Sequence, residues 1–519
     1  MMLENKSIEK NKYVILGVVV FFALIFYTLN ATKSGLWYDE AVEYFYSKYL
    51  TGTVPGGFGT MNMFERIRNT YQPPLYNVLM HFWLLIFDSE FAFRFIGIII
   101  TLIGSIGCFF AIEETLHDGL WSIIGMVFYL FTPVVVNYGL ECAEYNLMLC
   151  FLSWTVYFFM RVLIRHDWKS IIGFFVFSCL SVYSQYGAVF IVVGMYTSIL
   201  LFFLFRGLRL ELKIFLISSA VTCIVAVIPL VVFFVIPQMS LQGSSAISHW
   251  PFFQYNFLID FLVGGGITLY SLFGGKTAIW VIVLIILCFF SLFIQPKVIG
   301  VPFLSMVITW TLYFAAVCCS YYGYNSWNPT SVGFMNLGGR YALFLVPGIV
   351  VILTIGMGIV AKRIRDKNKK WYSVIVICAV LSFSVYCSLE MYRVSANGES
   401  KDDIREVTLA WYECEGYNSK TLLSQWDDAI FHFYLIHDDR YDIKYDESIE
   451  VADTWIGSAE YDEMKDKLQG KGYLSNKDFY YITPNSGCSQ TFLSVVKDAG
   501  YNIEKIYDGK SLLLYLTKQ

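Results

Sequence analysis

Charged residues are scarce in this chain. Asp, Glu, Lys and Arg make up 15% of its 519 residues, against about 25% in an ordinary soluble domain. No CxxC or Cys/His spacing of the kind that holds a metal is present, and there are only six histidines. These deficits exclude a disordered chain, a disulfide-rich miniprotein and an ordinary cytosolic enzyme.

Apolar residues are abundant instead, and the few charges are divided unevenly. Hydrophobic residues account for 57% of the chain and aromatic residues for 18%, which is typical of a polytopic membrane protein. Residues 395–519 hold 23 acids and 13 bases, whereas residues 1–394 hold 18 acids and 24 bases. The sequence therefore predicts a basic transmembrane domain over residues 1–394 and an acidic, water-soluble domain over residues 395–519.

Eleven apolar runs are long enough to cross a bilayer, which takes about 20 residues as a helix. Two shorter runs, Pro74–Phe87 and Leu258–Phe273, have about 14–16 residues, and the second contains Gly264, Gly265 and Gly266. The eleven predicted spans are Tyr13–Asn30, Phe93–Ile112, Leu120–Val136, Tyr145–Ile164, Ile171–Gln185, Gly187–Phe205, Ile214–Ile236, Thr277–Ile294, Val298–Cys319, Tyr341–Val360 and Tyr372–Tyr392.

The distribution of bases orients these spans. With a cytoplasmic N-terminus and eleven spans, 16 bases of the membrane domain lie inside and 8 outside, as the positive-inside rule requires. The first span is then a signal anchor, and the acidic domain is extracytoplasmic. Pro74–Phe87 is predicted to lie flat at the interface as an amphipathic helix that begins after Pro73 and Pro74 and carries His81.

This topology places a set of charges at the outer face. The first external loop, residues 31–92, carries Asp39 and Glu40 directly after the first span, together with Arg66. Glu141 and Glu144 lie in the second loop, and Arg94 and Arg340 lie at span ends. Bases suit a lipid phosphate and a carboxylate suits a hydroxyl nucleophile. Each also has a simpler reading: a solvated helix start for Asp39 and Glu40, surface charge for Glu141 and Glu144, and snorkelling for both arginines.

The order of these residues along the membrane domain resembles that of GT-C fold membrane glycosyltransferases. The likeness is greatest to the family-39-like group, which includes protein O-mannosyltransferases and the lipid A aminoarabinose transferase. The matching pieces are Trp37-Tyr38-Asp39-Glu40-Ala41, Gln72-Pro73-Pro74-Leu75-Tyr76 with His81-Phe82-Trp83, Phe91-Ala92-Phe93-Arg94, Glu141 with Tyr145, and Arg340-Tyr341 with Pro347.

The resemblance implies a GT-C-like fold of about eleven transmembrane helices plus interfacial helices, and an enzyme that takes a hexosyl or pentosyl group from a polyprenyl-phosphate donor. Asp39 would then be the catalytic base, and Glu40 would position the acceptor, which is a glycan, lipid or protein. Arg340, Arg94, Tyr341 and Arg66 would bind the donor phosphate, while Glu141, Tyr145 and Glu144 would form a second acidic loop at the acceptor. No cofactor is certain, but Asp39 and Glu141 offer oxygen ligands to a divalent cation such as Mg or Mn.

One motif departs from the group. Its second loop typically reads Ser-Arg-Glu-Ala-Arg-Pro-Tyr, whereas this chain has Gly139-Leu140-Glu141-Cys142-Ala143-Glu144-Tyr145, without either arginine. Phosphate binding would then depend on other bases, such as Arg66 or Arg68, or the donor differs.

The soluble tail reads as an α/β layer domain, because short strands alternate with helices. Helices are predicted over Asp402–Glu413, Ala429–Ile436, Glu460–Leu468 and Phe492–Ala499, and strands over Thr421–Ser424, Phe479–Ile482 and Ser511–Leu516. Cys414 and Cys488 would form one disulfide if oxidised. The tail carries no nucleic-acid signature, and a cap or an acceptor-recognition module fits it better than a second enzyme.

Two functions of other classes stay open at this point. A lipid-linked glycan transporter or flippase would require inverted repeats and charges near the centre of the membrane, and neither is evident in the sequence. A non-catalytic envelope scaffold would require neither the acids nor the cations.

Overall fold

A computed structural model describes the chain from residue 2 to residue 519 with several gaps. The described residues are 2–53, 60–240, 265–266, 268–318, 340–368, 370–371, 374, 378, 382, 385–386, 389–393, 403–424, 428–437, 449–452, 459–475, 477–485 and 488–519. Two compact units emerge. The bundle unit comprises Met1–Asn30, Ile67–Tyr76 and Arg94–Ala396, and the loop–tail unit comprises Ala31–Arg66, Asn77–Phe93 and Asn397–Gln519.

Long apolar helices make up the bundle unit. They are α1 (Met2–Asn30), α5 (Glu90–Leu116), α6 (Gly119–Leu130), α7 (Pro133–Gly139), α8 (Glu144–Arg165), α9 (Trp168–Ser184), α10 (Ala188–Arg206), α11 (Arg209–Ser240), α12 (Gly275–Ile294), α13 (Pro296–Cys318) and α14 (Val346–Lys367), the last preceded by a 3-10 turn over Leu343–Leu345. Three shorter helices belong to the first external loop: α2 (Tyr38–Lys48), α3 (Met63–Asn69) and α4 (Leu75–Leu84).

The predicted class, a polytopic helical membrane protein, is confirmed. Within the described residues seven helices are long and apolar enough to span a membrane, and the pair α6–α7, bent by 62° at Phe131–Thr132, makes an eighth. The predicted spans at Ile171–Gln185 and Thr277–Ile294 coincide with α9 and α12. Twelve of the 21 residues of the predicted eleventh span, Tyr372–Tyr392, and half of Leu258–Phe273 lie outside the described residues.

Helix α11 contains two π-helical turns, Cys223–Val227 and Val231–Val235, on either side of Pro229. Proline donates no backbone hydrogen bond, and wider turns next to it leave carbonyl groups that need other donors. The Tyr183 hydroxyl donates to the Ala226 carbonyl at 2.7 Å, and the Arg68 Nε donates to the Phe233 carbonyl at 3.1 Å. Side chains from elsewhere in the bundle unit therefore donate hydrogen bonds to carbonyls within the π-helical turns of α11.

A network of ion pairs connects several helices at one end of the bundle unit. Lys12 of α1 pairs with Glu9 and with Glu113 of α5, and the Glu113 carboxylate accepts a hydrogen bond from Ser122 of α6 at 2.9 Å. Arg165 of α8 grips Glu114 with two hydrogen bonds of 2.5 and 2.7 Å. These bases belong to the loops that the sequence places in the cytoplasm, where they also hold helices together.

The tail folds as a five-stranded mixed sheet with helices. Strands β3 (Lys420–Ser424), β4 (Ile449–Ala452), β5 (Phe479–Pro484), β6 (Tyr501–Asp508) and β7 (Ser511–Lys518) follow a hairpin of the first loop, β1 (Gly52–Thr53) and β2 (Thr60–Met61). Their spatial order is β4-β3-β5-β7-β6, with β3 parallel to β4 and β5 and the other pairs antiparallel. The tail helices are α15 (Ile404–Glu413), α16 (Asp428–His437), α17 (Tyr461–Gly470) and α18 (Gln490–Asp498).

The predicted α/β character of the tail is confirmed, and all seven of its predicted elements are present within two residues of their expected ends. Strands β4 and β6 were not predicted. Strand β6 is antiparallel to β7 and mostly exposed, and its sequence, with Glu504 and Lys505 at its centre, lacks the apolar alternation of a half-buried strand. Cys414 and Cys488 are both free thiols in this structure, so the disulfide considered from the sequence is not formed.

Candidate active site

Helix α2 carries the two acids that the sequence singled out, Asp39 and Glu40, in its first turn. The Glu40 carboxylate accepts a hydrogen bond from the backbone N–H of Trp37 at 3.3 Å and is buried, whereas Asp39 is half-buried. An acid at this third helical position satisfies an N–H that the helix leaves unpaired. Glu40 therefore stabilises the start of α2 and holds the turn that carries Asp39, a role that the sequence reading did not assign to it.

The tail contributes an acid close to this turn. Burial raises the pKa of the Tyr38 hydroxyl, and the nearby Tyr46, Asp428 and Asp39 raise it further. Asp428, in the first turn of α16, is itself buried and lies 2.5 Å (Oδ1) from Nδ1 of the fully buried His432. The chain thus brings residues nearly 400 positions apart within electrostatic reach of one tyrosine, and neither Asp428 nor His432 was among the predicted site residues.

Arg66 is the most unusual cation of the loop–tail unit, because its side chain is fully buried. Nη2 donates to the Gly52 carbonyl at 2.8 Å, and the guanidinium lies 5.7 Å from the centre of the Tyr46 ring. Its Nε and Nη1 atoms have no hydrogen-bond partner among the described residues. Burial lowers the pKa of Arg66. Leaving buried donors of a charged group unsatisfied is costly, so this geometry suits an anion that supplies the missing acceptors.

A buried polar joint fixes α2 to α4. The Asn77 amide donates to the Glu43 carboxylate at 2.9 Å and to the Ser47 hydroxyl at 3.2 Å, and all three side chains are buried. The imidazole of His81 contacts the Ser47 carbonyl at 2.8 Å through Nδ1. Pro73 and Pro74 precede α4, which has 10 residues and is too short to cross a bilayer. His81 therefore positions α2 in this structure, and the placement of α4 at a membrane interface stays a prediction.

In the bundle unit, Arg340 meets Tyr145. The Arg340 Nε donates to the Tyr145 hydroxyl at 2.5 Å, and the guanidinium lies 5.2 Å from the centre of the same ring. Tyr145 is buried at the start of α8 and packs on Tyr138 with a ring separation of 4.9 Å. The structure thus joins two residues that are 195 positions apart in the chain and that the sequence resemblance matched separately. Tyr341 follows Arg340 and is half-buried.

Three other predicted residues of the bundle unit are buried. Arg94 is 2% exposed, Glu141 6% and Glu144 1%. The structure therefore does not agree with the simpler readings of these residues, which were snorkelling for Arg94 and surface exposure for the two acids. Buried ionised groups are rare unless they are paired or functional, so these positions remain candidates for a site.

Asn146 is a residue that the sequence reading missed. It follows Tyr145, is 2% exposed, and neither its amide nitrogen nor its oxygen has a partner among the described residues. A Cβ placed on Gly97 of α5 would lie 2.5 Å from the Nδ2 atom of this amide and 3.7 Å from the Glu141 carbonyl oxygen, so a larger residue at position 97 would have to displace the Asn146 side chain. Nothing in the sequence marks Asn146, because a single Asn in an apolar helix has no recognisable spacing.

No group of three or more His, Cys, Asp or Glu side chains that could hold a metal occurs among the described residues. Of the two predicted oxygen ligands, Asp39 belongs to the loop–tail unit and Glu141 to the bundle unit. The described donor sets give no basis for assigning a step to a cation.

Comparisons with known proteins show which families and solved structures this chain is similar to. Residues 71–233 match the model of the dolichyl-phosphate-mannose-protein mannosyltransferase family. No curated protein sequence matches the chain. Among solved structures, ArnT from Cupriavidus metallidurans in the apo state is similar with a TM-score of 0.52 at 10% identity, over 97% of both chains.

Two further structures are similar at lower scores. ArnT from the same organism bound to undecaprenyl phosphate has a TM-score of 0.48 at 11% identity, over 97% of this chain and 98% of that one. The Archaeoglobus fulgidus oligosaccharyltransferase in complex with Zn and sulfate has a TM-score of 0.47 at 11% identity, over 96% of this chain and 73% of that one.

The fold is thus that of apo ArnT, and the family model matches the part of the chain that begins just before the Pro-Pro segment. The resemblance to GT-C membrane glycosyltransferases that the sequence predicts is confirmed.

Proposed function

We propose that this protein transfers a sugar from a polyprenyl-phosphate-linked donor to an acceptor hydroxyl at the outer membrane face. The observation that carries the donor class is the match of residues 71–233 to a family described by its dolichyl-phosphate-mannose donor, since dolichyl phosphate is a polyprenyl phosphate. The buried cations Arg66 and Arg94 and the half-buried Arg340 agree with it, because a phosphate is the group such cations bind.

Asp39 is the proposed base. It takes the proton of the acceptor hydroxyl while that oxygen attacks the anomeric carbon of the sugar, and the bond between this carbon and the phosphate oxygen breaks. Asp39 is half-buried, so acceptor and solvent reach it, and the hydrogen bond from Trp37 to Glu40 holds its turn in place. A base that is held on a rigid helix start loses little entropy when it meets its proton. Glu40 is assigned a positioning role.

Arg340 is the proposed first ligand of the donor phosphate. The hydrogen bond of its Nε to the Tyr145 hydroxyl fixes the orientation of the guanidinium, a planar group whose geometry matches that of phosphate oxygens. Arg94, Tyr341 and Arg66 are assigned supporting contacts to the phosphate, and Glu141 and Glu144 remain assigned to the acceptor side as the resemblance implies. Tyr145, which the resemblance also places on the acceptor side, is assigned the further role of orienting Arg340. Charge builds on the leaving phosphate in the transition state, so these cations accelerate the reaction as well as bind the donor.

The test is transfer by the purified full-length protein in nanodiscs. Polyprenyl-phosphate donors that carry labelled hexoses and pentoses are offered one at a time with a membrane extract as acceptor. We expect label to pass to the extract with one donor class, and we expect Asp39→Asn to lower the transfer rate by about 100-fold or more, the range typical of a lost general base.

Glu65→Gln is the matched control, because Glu65 is also an acid in the first turn of an external-loop helix, where it accepts from the Asn62 N–H at 3.0 Å. This variant should keep wild-type transfer. Full activity of a folded Asp39→Asn protein would refute the base assignment, and movement of the intact lipid-linked sugar across the bilayer without transfer would favour a flippase.

A further inference from the structure

Asp88 forms a joint between three segments of the loop–tail unit. It lies in the linker between α4 and α5, where its Oδ1 accepts a hydrogen bond from the Tyr44 hydroxyl at 2.8 Å and contacts Nε2 of His437 at 3.2 Å. Its Oδ2 lies 2.8 Å from the Lys48 ammonium, which also donates to the Leu84 carbonyl at 2.7 Å. Tyr44 and Lys48 belong to α2, and His437 is the last residue of α16 in the tail.

Aromatic contacts support the same joint. The His437 imidazole stacks on Phe433 with a centroid separation of 4.2 Å and meets the edge of the Tyr44 ring at 5.0 Å, and Tyr44 also meets Phe433 at 4.8 Å. The Tyr434 hydroxyl accepts from the Leu36 N–H at 2.7 Å, just ahead of α2. The tail helix α16 therefore packs on the helix that carries Asp39, and His437 is the titratable tail residue at the centre of that contact.

The two nitrogens of His437 both face acceptors. Nδ1 lies 2.8 Å from the Phe433 carbonyl, which cannot donate, so Nδ1 must carry a hydrogen to bond there. Nε2 faces Asp88, and an ionised carboxylate cannot donate either. Burial alone would raise the pKa of Asp88, but hydrogen bonds from His437, Lys48 and Tyr44 hold that pKa well below its usual range. Asp88 is thus ionised at neutral pH, and only the doubly protonated imidazolium satisfies both contacts.

We propose that His437 is a positioning residue that docks the tail on helix α2, and that this docking is complete only while its imidazole is protonated. The second proton, on Nε2, supplies the hydrogen of the Asp88 contact, and without it two acceptors face each other. The consequence for sugar transfer, a more mobile Asp39 helix at high pH, rests on the proposed function. The proposed docking of the tail on α2 does not depend on that function.

The charged groups around the joint between Asp88 and His437 favour tighter docking when the imidazole is protonated. Asp88 faces His437 from the α4–α5 linker, and Tyr44 faces it from α2, with Lys48 on the other oxygen of Asp88. The Tyr49 hydroxyl, whose pKa is raised by burial and then by Asp88, lies near the same carboxylate. Among the contacts of the described residues, Lys48 is the cation beside Asp88, and it reaches Asp88 through the oxygen that His437 does not use.

Hydrogen–deuterium exchange of the full-length protein tests the docking directly. Exchange of peptides from Tyr38–Lys48 and Asp428–His437 is compared at about pH 5.5 and about pH 8, on either side of the histidine range, after correction for the intrinsic pH dependence of amide exchange. In the wild type we expect corrected exchange of both peptides to be about threefold to tenfold faster at the higher pH, because a partly exposed charge-assisted bond is lost.

Three variants separate the explanations. His437→Gln donates one neutral hydrogen bond, so it should remove the pH difference, and His437→Phe keeps the ring packing and should exchange at the fast rate at both pH values. His166→Gln is the matched control, because His166 also contacts a carbonyl, that of Val162, through Nδ1 but lies in the bundle unit. It should keep the wild-type difference.

A pH difference that survives in His437→Gln would overturn the proposal and point to His432, the other histidine of α16. Equal corrected exchange of the wild type at both pH values would overturn it as well. If the exchange results are as expected but no donor gives transfer, the docking stands and the proposed function fails. If transfer occurs, its decline on the alkaline side should be lost in His437→Gln.

Discussion

The pair formed by Arg340 and Tyr145 allows a quantitative test of donor binding. Tyr145→Phe removes one oxygen and keeps the ring that packs on Tyr138 and lies under the guanidinium. A hydrogen bond to a charged group contributes about 1.5–3 kcal/mol. Arg340 is half-buried and partly screened by solvent, so we take a value at or just below that range, about 1–1.5 kcal/mol. This corresponds to binding of undecaprenyl phosphate that is weaker by about fivefold to tenfold.

The double variant decides whether Tyr145 acts through Arg340. Arg340→Gln removes the charge and should weaken binding by about 30-fold or more, the loss expected for a charge-assisted contact to phosphate. If Tyr145 only orients Arg340, then adding Tyr145→Phe to Arg340→Gln changes nothing further, and the coupling energy equals the whole effect of the single change.

The assay is titration of the nanodisc-embedded protein with undecaprenyl phosphate, followed by a change in melting temperature. Tyr157→Phe is the matched control, since Tyr157 accepts from Arg161 Nη1 at 2.9 Å on the same helix α8. That change should leave binding unaltered. Strictly additive losses in the double variant would refute the orienting role, and unaltered binding by Arg340→Gln would remove Arg340 from the phosphate site.

Three further predictions concern buried groups. Arg66→Met should raise the melting temperature of the ligand-free protein, because a buried cation with unsatisfied donors is removed, and should weaken undecaprenyl phosphate binding; a drop in both would mean that Arg66 is structural. Asn146→Leu should likewise leave thermal stability equal or higher while transfer falls, and unchanged transfer would exclude Asn146 from the site. Gly104→Ala should lower stability by about 1–3 kcal/mol, because a Cβ there would lie 2.9 Å from the backbone Cα of Cys150, as measured by thermal unfolding against Gly17→Ala, where a Cβ meets nothing within 4 Å.

The fold was largely predictable from the sequence, for reasons that lie in hydropathy and charge. A run of about 20 apolar residues has few options other than a spanning helix, so α5, α8, α10 and α13 match their predicted spans closely. The local pattern of apolar and polar residues was also sufficient to predict most of the helices and strands of the tail. Strand β6 was missed, since it owes its conformation to pairing with β7 and has no apolar alternation of its own.

The sequence indicated which residues were candidates for the site, but it did not indicate the burial or the contacts of their side chains. Acids and arginines at a membrane boundary are conspicuous in an apolar chain, and so the sequence singled out Asp39, Glu40 and Arg340 as candidates. The full burial of Arg66 and the hydrogen bond of Arg340 to Tyr145 depend on packing between segments far apart in sequence. Periodicity carries no information about such pairs, which only a three-dimensional structure brings together.

The least predictable feature is the partnership between the first external loop and the tail. Charge balance separates the tail from everything before it, yet residues 31–66 and 77–93 form one compact unit with residues 397–519. Helix α2 explains why: its Tyr44 packs on Phe433 and its Asp39 lies within electrostatic reach of the same tyrosine, Tyr38, as Asp428. A loop that must hold an acid in one geometry gains rigidity from a folded domain. On this argument the tail is a support for the proposed base, so changes at His437 should affect transfer without any contact between His437 and the substrate.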